Sequence, residues 1–80
     1  MIQDVFKLVV QNPGIDTPSV CLFCHKKEIK DPGYKGAALA MWLMKNHHEL
    51  WDETCSAVDE LISLGQVSFS DDGELYPVGY

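Results

Sequence analysis

A helical repeat, a glycine and a tight-turn signal follow one another in residues 50–78, which read LWDETCSAVDELISLGQVSFSDDGELYPV. The first part predicts an amphipathic helix, because side chains three and four positions apart share one helix face. Gly65 ends this helix as a C-terminal cap. The apolar face is predicted to contain Leu50, Thr54, Ala57, Val58, Leu61 and Leu64. The polar face is predicted to contain Glu49, Asp52, Glu53, Ser56, Asp59, Glu60 and Ser63.

A β-hairpin is predicted directly after this helix. Apolar and aromatic side chains alternate on both sides of Asp72-Gly73, a strong signal for a two-residue hairpin turn. In that register Phe69 faces Tyr76, and Val67 faces Val78. An isolated hairpin is marginally stable, so its apolar face is expected to dock on the helices.

Two helices are predicted near the N-terminus. Apolar residues recur at helical spacing from Ile2 to Val9, and Asn12-Pro13-Gly14 ends this first helix. Ile15-Asp16-Thr17-Pro18 then supplies an extended residue, a cap and a proline at the first helical position. A second helix should therefore run from about Pro18 to Glu28.

The segment between these helices and the amphipathic helix is predicted to hold a loop and a short helix. Asp31-Pro32-Gly33 is a turn signal within that loop. Every side chain from Ala37 to Met44 is apolar, which predicts a short helix buried on most sides. Asn46 followed by Glu49 resembles a capping box, so a new helix starts there or continues from the short one.

Length and composition favour one small globular domain, residues 1–80, with a mainly α fold, a C-terminal β-hairpin and three to four helices. Hydrophobic residues make up 46% of the 80 residues and charged residues 22%. No apolar run reaches the roughly 18 residues of a membrane span, and the N-terminus does not read as a signal peptide. We therefore expect a cytoplasmic protein. The aromatic side chains expected in its core are Phe23, Trp42, Trp51 and Phe69.

Residues Leu50 to Val78 resemble the recognition helix and wing of winged helix-turn-helix proteins, and the stretch from Val9 to Asp16 is similar to the family's first helix and following strand. The resemblance implies a winged-helix-like domain with a two-stranded wing. In one register, residues 18–28 are the second helix and residues 30–47 are an insertion with an extra helix. In a second register, residues 18–28 are the first helix and residues 37–45 the second.

Charge is distributed unevenly along the chain. The net charge is −6; residues 1–45 hold all six lysines and four acidic residues, a net +2. Residues 46–80 hold eight acidic residues and no lysine or arginine, a net −8. DNA-binding members of the family present basic or amide side chains on the recognition helix, whereas the matching helix here has no Arg, Lys, Asn or Gln from residue 49 to residue 64.

The acidic helix and wing predict a small regulator or inhibitor that binds a basic protein surface and that possesses no catalytic activity. A sharper version of this hypothesis is nucleic-acid mimicry, in which carboxylates replace phosphates. The predicted partner-binding residues are Glu49, Asp52, Glu53, Asp59, Glu60, Asp71, Asp72 and Glu74. The alternative is a DNA-binding transcription regulator that contacts phosphates through its one basic cluster. That cluster contains Lys26, Lys27, Lys30 and Lys35.

The cysteines allow two cofactor interpretations beside simple core packing. Cys21-Leu22-Phe23-Cys24-His25 matches the attachment motif of c-type haem, although no export signal accompanies it. Zinc is another option, with Cys21, Cys24, His47 or His48, and Cys55 as ligands, although the second pair lacks a recognisable spacing. We expect core thiols and no cofactor. A nucleophile elbow, a phosphate-binding glycine loop and a paired-carboxylate motif are all missing from the sequence, so no enzyme is predicted.

Overall fold

Four helices and three strands lie in residues 1–79, which are the residues that the computed structural model describes. In chain order they are α1 (Ile2–Gln11), β1 (Ile15–Asp16), α2 (Thr17–Cys24), α3 (Gly36–Asn46), α4 (His48–Ser63), β2 (Val67–Phe69) and β3 (Glu74–Pro77). The strands form one antiparallel sheet in the order β1-β3-β2. The mainly helical fold with a C-terminal hairpin is as the sequence predicts, and β1 extends the hairpin to three strands.

The layout is winged-helix-like. β1 lies between α1 and α2 in the chain and pairs with β3, while α4 leads directly into the hairpin that forms the wing. This pairing agrees with the first of the two alignments to the winged-helix pattern, in which α1 and β1 are the first helix and strand. In that alignment α3 is the additional helix. Within the described residues every helix is too short or too polar to span a lipid bilayer.

Two groups of buried side chains hold the elements together. The larger core joins α1, α2, α4 and the sheet; Val5 and Val9 come from α1, and Leu75 comes from β3. The smaller core lies between α2, α3 and the loop that joins them. Its buried members are Cys21, Ile29, Leu39 and Leu43. α4 contacts every other helix and β2. Because these contacts hold its inner side, the opposite side of α4 faces away from both cores.

The predicted two faces of α4 are largely confirmed. Thr54, Ala57, Val58 and Leu61 are buried, and the predicted polar face is exposed. Leu64 is the exception, because 61% of its surface is accessible to solvent. It is the C-cap residue and lies about 60° around the helix axis from Leu61, at the edge of the polar face.

Gly65 ends α4 as predicted. Its backbone is left-handed, with φ of +74°. The Gly65 N–H donates to the Ile62 carbonyl at 3.0 Å, and the Gln66 N–H donates to the Leu61 carbonyl at 3.0 Å. This pair of bonds is the Schellman arrangement, which uses carbonyls that the end of the helix leaves without partners.

The hairpin exists, but its predicted register is wrong by one residue. The observed pairs are Val67 with Pro77, Ser68 with Tyr76, and Phe69 with Leu75. The loop has three residues, 71–73, rather than two. The Gly73 N–H donates to the Ser70 carbonyl at 3.0 Å, and the φ of Gly73 is +83°. This type I turn followed by a left-handed glycine shifts the pairing and directs Leu75 into the core.

Both ends of α2 differ from the prediction, slightly at the N-terminus and more at the C-terminus: the helix begins at Thr17, so Pro18 is its second residue and not its first. The Asp16 carboxylate accepts a hydrogen bond from the Ser19 N–H at 3.0 Å, which confirms the predicted cap. The helix ends at Cys24 instead of Glu28. The chain turns at His25, whose carbonyl accepts from the Ile29 N–H at 2.9 Å, and this turn brings the Ile29 side chain into the smaller core.

The predicted aromatic core is half correct. Trp42 and Trp51 are partly buried against the smaller core. Phe23 and Phe69 are exposed, so their assignment to the core is wrong. Phe23 lies on the outer side of α2, because Val20 and Cys21 occupy the face that turns inward.

The third helix is exposed on one side, contrary to the prediction that it is buried on most sides. It packs on α2 and α4 through Leu39 and Leu43, while Met41 is 70% exposed and Met44 is also exposed. The predicted capping box at the start of α4 is wrong. The Asn46 amide donates to the Trp42 carbonyl at 2.9 Å within α3, and the break between the two helices falls at His47.

Candidate functional site

The outer face of α4 carries five exposed carboxylates. They belong to Glu49, Asp52, Glu53, Asp59 and Glu60. On an ideal helix they lie within an arc of about 120° and extend over about 16 Å of the axis. We call this surface the acidic face. The sequence predicts all five of its residues and their common exposure.

No lysine of the described chain neutralises the acidic face. Within residues 1–79, a nitrogen and a carboxylate oxygen lie within ion-pair distance at two places, the N-terminal amine with Asp4 and His25 Nδ1 with Glu28, both at 3.9 Å. None of the five carboxylates takes part in either. The negative potential of the acidic face is therefore open to an external partner.

The tip of the wing adds two carboxylates. Asp71 and Asp72 are exposed in the hairpin loop. Asp72 lines a shallow cleft with Trp51 of α4 and with Phe69, so the wing tip approaches the N-terminal half of α4. Trp51 and Phe69 give this cleft an aromatic wall, and both residue types are common at the centre of protein interfaces.

Glu74 differs from the other predicted partner-binding residues. It is partly buried, and its carboxylate accepts a hydrogen bond from the Tyr76 hydroxyl at 3.4 Å. A Cβ atom placed on Gly14 would lie 3.7 Å from Glu74 Oε2, which shows how closely β1 and its preceding turn approach this side chain. Glu74 is thus engaged within the sheet.

Three of the four predicted basic residues meet at one cleft. Lys26, Lys30 and Lys35 line a cavity of about 680 Å³ between α2, the following loop and α3. We call it the lysine-rimmed cleft. Lys27 is exposed but does not line this cavity. The sequence predicts the basic cluster but not the concave surface, because the cavity depends on how the loop folds back over the smaller core.

Two aspartates also belong to the lysine-rimmed cleft. Asp16 is the cap of α2, and Asp31 accepts a hydrogen bond from the Gly33 N–H at 2.8 Å. Both carboxylates therefore hold the backbone in place. In residues 1–79 none of the lysines has a carboxylate oxygen within ion-pair distance.

The three cysteines are free thiols whose pKa values are raised. Burial is the main cause of the raised pKa of Cys21; a hydrogen bond with Thr54 opposes it and the charge of Glu53 adds to it. Burial also raises the pKa of Cys24, with the charge of Asp4 as the next cause. For Cys55, burial is followed by the charges of Asp59 and Asp52 on the same helix. A raised pKa keeps a thiol protonated at neutral pH and so slows its reactions.

The structure gives no ligand set for the cofactor interpretations. Among residues 1–79 no three Cys, His, Asp or Glu side chains are placed to hold a metal ion. Cys21 is fully buried, so in this fold its sulphur is out of reach of a haem vinyl group. The ring of His25 is largely buried; its Nε2 has no hydrogen-bond partner in the described residues, and its Nδ1 lies 3.9 Å from a carboxylate oxygen of Glu28.

Sequence reasoning missed one exposed apolar surface. Met41 and Met44 lie on the free side of α3, next to exposed Ala37 and Ala38. An all-apolar segment gives no helical periodicity, so nothing in the sequence separates its outer side from its inner side. Exposed methionines adapt readily to an apolar partner surface.

Comparisons with known proteins find no relative. The chain matches no protein-family model, no curated protein and no solved structure. The fold and the two charged surfaces are therefore the basis for any statement about function.

Proposed function

We propose that this chain is a small, non-enzymatic regulator or inhibitor of the winged helix-turn-helix type that binds a protein partner through the acidic face and the wing. The observation that carries the proposal is the set of five exposed carboxylates on α4 with no neutralising lysine in residues 1–79. Charge complementarity of this kind accelerates association and selects a partner with a basic surface. We also propose that the protein acts in the cytoplasm, a reducing compartment in which its three thiols would remain unpaired.

Direct insertion of α4 into a DNA groove is disfavoured by the same charges. The acidic face would approach phosphates of like charge at distances shorter than the Debye length of about 8 Å, and no counterions would be released in compensation. Asp71 and Asp72 at the wing tip would likewise be repelled by the phosphates. A winged-helix layout with this surface is better suited to contact a partner protein whose own surface is basic because that partner binds nucleic acid.

Nucleic-acid mimicry is the specific form of inhibition that we favour. The acidic face has one carboxylate per about 4 Å of helix axis, while one strand of B-DNA has one phosphate per about 3.4 Å. The two linear charge densities are similar. A DNA-binding protein could therefore accept α4 in the groove or channel that it uses for phosphates.

Partner capture from a host extract tests the proposal. The chain in which Asp52, Glu53, Asp59 and Glu60 are all changed to Lys should lose every partner that the unchanged chain retains, as judged by mass spectrometry. Asp59→Lys with Glu60→Lys should weaken capture. The matched control for this double variant is Asp4→Lys with Glu28→Lys, which makes the same change in net charge at exposed positions outside the acidic face.

The control should retain the partner. Capture by the fourfold variant at the level of the unchanged chain would reject the proposal, and so would equal weakening by the Asp59→Lys/Glu60→Lys variant and its control. Far-ultraviolet circular dichroism on each variant shows whether α4 has remained folded.

DNA binding through the basic cluster is the second candidate. One observation favours it, namely that Lys26, Lys30 and Lys35 point to a common cleft without ion-pair partners in residues 1–79. Binding of a duplex by so few lysines would weaken steeply with salt. A salt titration decides the matter, because absence of duplex binding even at low ionic strength removes this candidate.

A further inference from the structure

The lysine-rimmed cleft has the size and construction of a small-molecule site. Its volume of about 680 Å³ lies within the range of about 300–1,000 Å³ that is usual for ligand pockets. Ile29 and Leu39, both buried members of the smaller core, form part of its wall, together with partly buried Leu22. Ligand sites combine an apolar wall with polar groups that orient the ligand, and in this cleft the polar share is large, with three lysines and two aspartates.

The rim supplies positive charge next to aromatic rings. The Lys26 ammonium lies 5.1 Å from the centre of the Phe23 ring, which holds it over an apolar surface by a cation–π contact. Tyr34 lines the same cleft and is exposed, as is Phe23. Both rings are therefore accessible for stacking with a ligand.

The charges of the cleft favour an anion. Asp16 and Asp31 each accept a hydrogen bond from a backbone N–H, so these carboxylates are partly satisfied by the chain itself. Lys30 and Lys35, like Lys26, have no carboxylate within ion-pair distance in the described residues. A ligand with one anionic group would provide the missing partner for these ammonium groups.

We propose that the lysine-rimmed cleft binds a small amphipathic organic anion, with a flat aromatic body that packs on Phe23, Tyr34 and the apolar wall, and with a carboxylate, sulfonate or phosphate held by the lysines. This site lies on α2, the loop and α3, and it uses none of the residues of the acidic face. The inference therefore stands or falls separately from partner binding by α4.

Titration with the fluorescent aromatic sulfonate 1-anilinonaphthalene-8-sulfonate tests the inference on the full chain. Lys30→Glu with Lys35→Glu should weaken binding of this probe by about tenfold or more, because two attractive charges become repulsive. The matched control is Lys27→Glu with Lys45→Glu, which makes the same charge change at exposed positions outside the cleft. The control should change the affinity by less than about twofold.

Two further measurements make the result specific. Uncharged N-phenyl-1-naphthylamine should bind at least about tenfold more weakly than the sulfonate, because it offers no partner to the lysines. Amide shifts of isotope-labelled protein should change around residues 22–39 when the sulfonate is added.

Equal affinity for the charged and uncharged probes would overturn the inference, as would equal weakening in the control variant. Amide shifts confined to Met41 and Met44 would also overturn it, because they would indicate adsorption to the exposed side of α3. Binding of a short DNA duplex that depends on Lys30 and Lys35, with no binding of the sulfonate, would reject a small ligand in favour of nucleic acid.

Discussion

Replacement of Leu61 by alanine should strongly destabilise the protein. The side chain is 1% exposed and packs in the larger core, so truncation leaves a cavity between α1, α4 and the sheet. Leu→Ala at such positions costs about 2–5 kcal/mol, and we expect about 3 kcal/mol here. A domain of this length has a free energy of unfolding of about 4–12 kcal/mol. The melting temperature should accordingly fall by about 12–24 °C.

Leu64→Ala is the matched control, because the same atoms are removed three residues further along. Leu64 is 61% exposed and belongs to neither core group. Its replacement should change the free energy of unfolding by less than about 0.5 kcal/mol. The contrast is informative because the helical repeat in the sequence places both leucines on the apolar face.

Urea unfolding followed by tryptophan fluorescence and by circular dichroism measures both variants. The two signals should give coincident transitions, and the dependence on urea should be unchanged, so that midpoints report stability alone. A Leu64→Ala variant as unstable as Leu61→Ala would refute the placement of Leu64 and with it the described end of α4.

Three other outcomes follow from the structure. Asp16→Ala should lower the free energy of unfolding by about 1 kcal/mol, because the Ser19 N–H loses its acceptor, and Asp16→Asn should restore most of it in the same urea assay. Gly65→Ala should lower the free energy of unfolding by about 1 kcal/mol, because an L residue is strained at the positive φ of this position and no atom within 4 Å obstructs a Cβ. D-Alanine introduced there by chemical synthesis should leave the free energy of unfolding unchanged, because a D residue favours positive φ. Equal losses for the two residues would contradict this reasoning. Burial raises the pKa values of Cys21 and Cys55, so iodoacetamide should label both slowly at pH 7, with Cys21 the slower, and mass spectrometry measures this directly. The raised thiol pKa values should leave the free energy of unfolding unchanged below pH about 8.5, the ordinary pKa of a thiol. As the pH rises from there towards the raised pKa values, the free energy of unfolding should fall, because the thiols of the unfolded chain release their protons first.

The helical parts of the fold that follow a clear repeat were predictable. Val5 and Val9 of α1, and Ala57, Val58 and Leu61 of α4, are buried as their spacing predicts. The same repeat predicts the exposure of the acidic face, because carboxylates and core positions alternate in a fixed pattern around the helix. Of the candidate site, the acidic face is therefore the part that the sequence predicts best.

Features that depend on non-local packing were not predictable. A two-residue turn and a three-residue turn with a left-handed glycine both suit Ser70-Asp71-Asp72-Gly73, and the choice is made by Leu75, which must enter the core. The uniformly apolar residues of α3 do not reveal which side meets solvent. Likewise the lysine-rimmed cleft arises because Ile29 is drawn into the smaller core, which folds the basic loop over α3.

Amide shift mapping with a captured partner tests the central claim most directly. The isotope-labelled chain should show changes at the exposed positions of residues 49–60 and at Asp71 and Asp72, and these changes should diminish as salt is added. Changes confined to residues 26–35 or to the exposed side of α3, with the acidic face unaffected, would contradict the account.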